Sequence, residues 1–270
     1  MSINANNIRD LPKPSFINWM AKEESISLHG VDTACYRLDY EVAEAALDEW
    51  ALNLRRHYVR DDELAAESHG IGRTPSEYLK EFIIPTEKRM RTGDFAEILV
   101  SDMLQFVEGY ESPRYKHHGR TASNASERGV DVIAYPAFDP EEPKASDELI
   151  LVEVKSGAAS SLREVLNRVG ADCGKDEARR AMTLNYIRQR SLRSKDDRTS
   201  SEMARFLMKG DHSYKSTFAG AATVGVRNLE GKLDNMTAEE FGVQGYDRLF
   251  IIHADKLMDL IENVYGRCTQ

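Results

Sequence analysis

Apolar side chains recur at helical spacing between residues 39 and 58, where Val42, Ala45, Ala46, Trp50 and Leu54 keep step. Acids come early in this stretch and Arg55 and Arg56 late, as the helix dipole prefers, so it predicts a helix. Thr74-Pro75-Ser76-Glu77 predicts a helix start, with Thr74 as the cap and Pro75 at the first helical position. Val31 to Leu38 reads as a strand. Asp94 to Glu108 is apolar on most sides, through Phe95, Ile98, Leu99, Val100, Met103, Leu104, Phe106 and Val107. A helix apolar nearly all round is packed between other elements. Two β-like runs follow, Val130 to Tyr135 and Glu148 to Val154. In the second, Leu149, Ile150, Leu151 and Val152 form the continuous apolar stretch of a central strand. The connection from Pro136 to Asp147 is polar and carries three prolines.

Beyond it, Ser161 to Arg193 reads as largely helical. Phe218 to Val226 and Leu249 to Ile252 read as strands, and Asp255 to Tyr265 as a closing helix with Leu257, Leu260, Ile261 and Val264 on one face. From residue 91 the order is helix, strands, helix, strand, strand, helix. That order predicts an α/β unit in which helices cover a mixed sheet. Residues 1–90 predict a mostly helical lobe, and residues 91–270 the second domain.

Composition narrows the function classes. The 270 residues are 41% hydrophobic, enough for a real core. The net charge of −9 argues against a chain devoted to coating nucleic acid, though not against a local basic surface. Residues 1–90 hold 11 basic and 16 acidic side chains, so this lobe is a poor DNA face and a candidate docking surface for a partner. No apolar run approaches the ~20 residues of a membrane span. Cys35, Cys173 and Cys268 make neither a disulfide framework nor a zinc pattern. With an N-terminus lacking a basic start and an apolar stretch, they suggest a cytoplasmic protein with no signal peptide.

The sharpest chemistry is Asp131 followed by Glu153-Val154-Lys155. Strand side chains alternate, so Glu153 and Lys155 share a face. A carboxylate and an ammonium at the end of an apolar strand are costly unless they meet ions, partners or water. A divalent cation meets that need, because Mg²⁺ takes one or two carboxylates with phosphate oxygens and waters. A lysine within reach would orient an attacking water or stabilise developing charge. An acid-x-Lys triplet is cheap, and the chain has three, at 142–144, 153–155 and 230–232. Only the middle one ends an apolar strand, with an Asp on the preceding run and Glu97 on the helix before. The plainer reading of Glu153 and Lys155 is a solvated strand end with an ion pair worth about 0–1 kcal/mol. For Asp131 it is a turn aspartate, and for Glu97 an acid favouring a helix start.

Arg91-Thr-Gly-Asp-Phe-Ala-Glu97, Gly129-Val-Asp131 and Leu151-Val-Glu-Val-Lys155-Ser-Gly together resemble the core of the PD-(D/E)XK nuclease superfamily, over roughly residues 91–253. The resemblance implies a restriction-endonuclease-like αβββαβ core and a Mg²⁺- or Mn²⁺-dependent endodeoxyribonuclease that hydrolyses phosphodiester bonds. It implies Asp131 and Glu153 as metal ligands, with the Val154 carbonyl as a candidate third, Lys155 as the catalytic lysine and Glu97 as a further acid. Val130 stands where the motif's proline would be. The extra N-terminal lobe and the Gly-Asp-Phe-Ala-Glu helix look like the nuclease subunit of the Hachiman antiphage defence system, which implies a helicase partner. A stand-alone restriction-type enzyme and a non-cleaving binding module remain as alternatives.

Residues 163–198 are net +4. Arg163, Arg168, Arg179, Arg180, Arg188, Arg190 and Arg193 are the candidate DNA-phosphate contacts, and guanidinium suits bidentate phosphate binding. A solvated helix of mixed charge explains them equally well. Lys116-His117-His118-Gly119-Arg120 could touch a nucleic-acid backbone but reads more readily as a surface turn, and its His pair lacks partners at metal spacing. The stretch from Gly225 to Lys232 has one residue too many between its glycines for a phosphate loop, and Leu233 stands at the Ser/Thr position. No ATP site is therefore expected, and an ATP-driven step would belong to another chain.

Overall fold

The computed structural model describes residues 11–23, 26–43, 46–120, 122–125, 129–158, 160–173, 175–208, 213–225, 233, 236–237 and 246–270. Most of the Gly225–Lys232 stretch, and Ala45 and Val226, lie outside them.

Among the described residues there are seven strands: β1 (Met20–Lys22), β2 (Ile26–Leu28), β3 (Val31–Leu38), β4 (Val132–Ala134), β5 (Glu148–Gly157), β6 (Lys215–Gly225) and β7 (Arg248–Ala254). They form one sheet in the order β1-β3-β7-β6-β5-β4, with β2 also paired to β3. The β3–β7, β7–β6 and β6–β5 ladders are parallel, and β5–β4 and both pairings of β1 and β2 are antiparallel. The helices are α1 (Tyr40–Ala43), α2 (Leu47–Arg56), α3 (Asp61–Gly70), α4 (Pro75–Tyr78), α5 (Lys88–Phe106), α6 (Leu162–Cys173), α7 (Asp176–Arg193), α8 (Asp197–Leu207) and α9 (Leu257–Arg267). The mixed sheet flanked by helices is the α/β architecture expected from the apolar pattern.

Strand alternation splits the core in two. Ile150, Val152 and Val154 of β5 join Phe250 and Ile252 of β7 beneath α2, α5 and α9. On the opposite face α6 covers Ala222, Val224, Leu249 and Ile251, while α7 and α8 cover Leu149 and Leu151. Gly220 lets α6 lie close to β6, since a Cβ there would sit 2.4 Å from a Val169 methyl. Burying each such large apolar side chain contributes roughly 1.5–3 kcal/mol.

Several details differ from the periodicity reading. The single helix expected over 39–58 is two, α1 and α2. Helix α8 lies beyond the 161–193 segment read as helical. It is capped by the Asp196 side chain, which accepts from Thr199 N at 3.0 Å. Between α5 and α6 the described residues contain two strands. A third pairing is reduced to the Glu111–Tyr135 bridge, with N–H groups donated both ways at 2.8 and 3.0 Å.

The sheet and core also run across residue 90. Strand β3 lies parallel to β7 in the main sheet. Phe16 stacks on Trp50, whose ring lies 5.3 Å from that of Phe95 on α5. Thr74 caps α4 as its sequence predicts, in a capping box with Glu77. Among the described residues all three cysteines are free and buried, and no helix is long and apolar enough to cross a membrane.

Candidate functional site

Strand β5 is buried through Val154 and becomes partly exposed at Lys155 and Ser156. Its central place explains why Glu153 is only 2% exposed. Glu153 and Lys155 point to the same face, and their carboxylate and ammonium are in contact. The same ammonium lies 3.1 Å from Asp172 on α6, which also holds Lys175. The second Glu153 oxygen, Oε2, is buried without a hydrogen-bond partner, and the Arg179 guanidinium is 3.9 Å away. Burial pushes the Glu153 carboxyl above its ordinary value, and the Asp131 charge adds to this. Burial alone would lower Lys155, but Glu153, Asp131 and Asp172 outweigh it and hold the ammonium charged.

Asp131 immediately precedes β4. Val132 pairs with Val152, so one further step of that antiparallel register brings Asp131 opposite Glu153. Its Oδ2 accepts the backbone N–H of Val154 at 2.9 Å. The turn into β4 depends on Gly129, whose φ is +132° and where a Cβ would lie 2.6 Å from Thr183 Oγ1. That hydroxyl in turn accepts Val130 N–H at 3.1 Å, so α7 fixes the approach to Asp131.

The other Asp131 oxygen meets a group that the sequence reading set aside. Lys116 Nζ lies 2.6 Å from Asp131 Oδ1 and 2.9 Å from Glu97 Oε2. The Lys116–Arg120 segment is therefore not a surface turn except at exposed Gly119: His117 and His118 are buried, and the Lys116 side chain is 15% exposed. Burial pushes the Glu97 carboxyl up to about 8, with Asp131 and Asp94 adding to it and Lys116 pulling the other way. His117 Nε2 is 3.4 Å from Glu97, and burial followed by the Arg120 and Lys116 charges keeps its ring neutral. Behind it Arg120 grips Asp94 with two bonds of 2.6 and 2.7 Å, and Tyr58 donates to Asp94 at 2.7 Å. Lys116, Asp94 and Asp172 were all missed from sequence. Only the density of basic residues at 114–120 hinted at the first.

The seven arginines separate. Arg168 donates to the Ser156 carbonyl at 3.1 Å and Arg179 approaches Glu153, so both stand at the open end of β5. Arg163 and Arg193 are exposed and Arg188 is partly exposed. Arg180 bonds Ser216 at 3.0 Å and lies over the Tyr214 ring. Arg190 donates to the His118 and Gly119 carbonyls and lies 5.0 Å from the Tyr186 ring centre, which commits it to holding the 114–120 segment.

Among the described residues no group of three or more His, Cys, Asp and Glu side chains is gathered to hold a metal ion. What the site offers is a carboxylate pair, Asp131 and Glu153, with the Val154 backbone between Glu153 and Lys155. Such a set suits Mg²⁺, which keeps several waters and uses one or two carboxylates. It does not suit zinc, which is held by three or four protein donors. The orphaned Glu153 oxygen fits the same cation, because a buried carboxylate oxygen is costly without a partner.

The family model described as HamA matches residues 14–268. Among curated proteins, none matches the chain.

Proposed function

From the premise that this chain belongs to the HamA family, the Hachiman antiphage defence component, we propose that it is the metal-dependent nuclease of that system, hydrolysing DNA phosphodiester bonds. The observation that carries the reading is the convergence of Asp131, Glu153 and Lys155, with Asp131 fastened to Val154 N–H and a Glu153 oxygen left without a partner. Asp131 and Glu153 would hold Mg²⁺ or Mn²⁺, with the Val154 carbonyl as a further donor. When bound, such an ion supplies a lowered pKa for water and neutralises charge at the phosphate.

The chain's own groups do the rest. Lysine carries three N–H donors, and in Lys155 two are engaged by Glu153 and Asp172. The third is left to orient the attacking water or a phosphate oxygen. Arg168 and Arg179 stand at the end of β5 where a phosphate backbone would cross, exposed Arg163 on α6 would extend that surface, and each contact would add a salt-dependent, sequence-independent increment. A helicase partner would gate access to this site.

Plasmid nicking at low salt, in Mg²⁺ against EDTA, tests the assignment, with the chain alone and co-expressed with whatever helicase is found encoded beside it. Glu153→Ala and Lys155→Ala should abolish metal-dependent cleavage without lowering the melting temperature by more than a few degrees. Full activity in a folded Glu153→Ala variant overturns the reading. Metal-independent binding of DNA without cleavage, in both preparations, would make the domain a binding module.

A further inference from the structure

We propose that Lys116 fills the place of a second cation, so that the site takes one divalent metal ion and no more. The inference rests on the reading of Asp131 and Glu153 as a metal pair. Two-metal phosphodiesterases hold their ions about 3.5–4 Å apart. That spacing needs one carboxylate shared between the ions and another beyond it for the second ion. Asp131 stands in the sharing position, and Glu97 on α5 is the carboxylate beyond it.

The Lys116 ammonium occupies the space between those two groups, 2.6 Å from Asp131 Oδ1 and 2.9 Å from Glu97 Oε2. Asp131 Oδ2 accepts the Val154 N–H and keeps a second lone pair, which is what a single metal ion would use. The segment carrying Lys116 is anchored on both sides. Arg114 contacts the Asp102 carboxylate and donates to Gln105 at 2.8 Å, His118 meets Glu63 at 2.6 Å, and Arg190 binds the Gly119 carbonyl at 3.0 Å. A covalently tethered ammonium cannot diffuse away, and withdrawing it would leave two buried carboxyl groups facing each other.

The two sides of Asp131 thus differ. Toward Glu153 a buried carboxylate oxygen has no hydrogen-bond partner. Toward Glu97, Oε2 likewise makes no hydrogen bond, but it and Asp131 Oδ1 lie 2.9 and 2.6 Å from one tethered ammonium, whereas the Arg179 guanidinium stays 3.9 Å from Glu153 Oε2. One metal ion fits the first side, and Lys116 serves the second.

Calorimetric titration of Mn²⁺ into the full chain counts the sites. One ion per chain is expected in the wild type, and two in Lys116→Met. The second should vanish again in Lys116→Met/Glu97→Gln. Glu97→Gln alone should keep one ion with affinity within about threefold of wild type. This variant decides the matter if Lys116→Met does not fold, since a tenfold or greater loss makes Glu97 a ligand and overturns the proposal. Two ions in the wild type, or one in a folded Lys116→Met, also overturn it and leave the Asp131–Glu153 metal reading standing. No ion in the wild type overturns both.

Discussion

The backbone N–H of Val154 donates to Asp131 at 2.9 Å, so the residue between Glu153 and Lys155 is the one that fastens the aspartate beside them. Strand β4 ends its ladder at Val132. The Asp131 side chain then takes up the next donor of β5, which both satisfies a buried N–H and fixes the carboxylate.

Asp131→Asn and Glu153→Gln keep shape and remove charge. Each should lower metal-dependent cleavage by at least about 10²–10³-fold, the loss typical of removing one preorganised electrostatic partner. Melting temperatures should shift by only a few degrees. Initial nicking rates in Mg²⁺ measure this, and a variant keeping more than a tenth of wild-type rate has no place in the metal pair.

Gly129→Ala should destabilise the chain by about 2 kcal/mol or more. A backbone conformation reserved for glycine costs about 1–3 kcal/mol. The new Cβ also meets Thr183 Oγ1 at 2.6 Å. Adding Thr183→Ala relieves the clash and leaves the φ of +132°, so less than half of the loss should return. Urea denaturation midpoints give the comparison, and a neutral Gly129→Ala would contradict the turn described.

Arg163→Ala and Arg190→Ala should fail in different ways. Removing exposed Arg163 should weaken DNA binding and reduce the slope of log affinity against log salt by about 0.9 in magnitude if one duplex phosphate contact is lost. Removing Arg190 should lower the melting temperature, since its guanidinium holds two carbonyls of the 118–119 segment. Binding titrations at three salt concentrations and thermal melts distinguish them. A stable Arg190→Ala with a reduced salt slope would return Arg190 to the DNA face.

Stability should depend on pH through Glu97. A carboxyl whose pKa is about 8 when folded, against 4.5 ordinarily, holds its proton more tightly in the folded chain. Its contribution is therefore full below the unfolded value and is lost as pH rises toward 8. Glu97→Gln lacks this loss. The stability difference between variant and wild type, followed by denaturation without metal from pH 5 to 8, should move in the variant's favour by at most about 1.4 kcal/mol per pH unit. A flat difference would mean that Lys116 outweighs burial at this carboxyl.

Much of the frame was legible in the chain. The unbroken apolar run at 149–152 marked β5 as central, because a strand buried on both faces needs apolar residues at every position. Thr74-Pro75 marked its helix start through local capping chemistry. Asp131, Glu153 and Lys155 stood out because ionisable groups at the end of such a run are costly and demand a reason. Strands β1 and β2 and helix α8 were less readable. The strands are three residues each, too short for alternation to register, and the buried face of α8 mixes Met203 and Phe206 with Thr199, Ser200, Glu202 and Arg205, whose burial polarity alone does not announce.

The sequence by itself determined most of the longer helices and strands and that Glu153 and Lys155 share one face of β5, because periodicity and burial cost are local properties. The tertiary structure alone decided that Lys116 reaches both Glu97 and Asp131, that Asp172 shares Lys155 with Glu153, and that β3 completes the sheet beside β7. Those contacts join aperiodic or distant segments, and their partners are set by how connections fold back across the sheet rather than by any spacing along the chain.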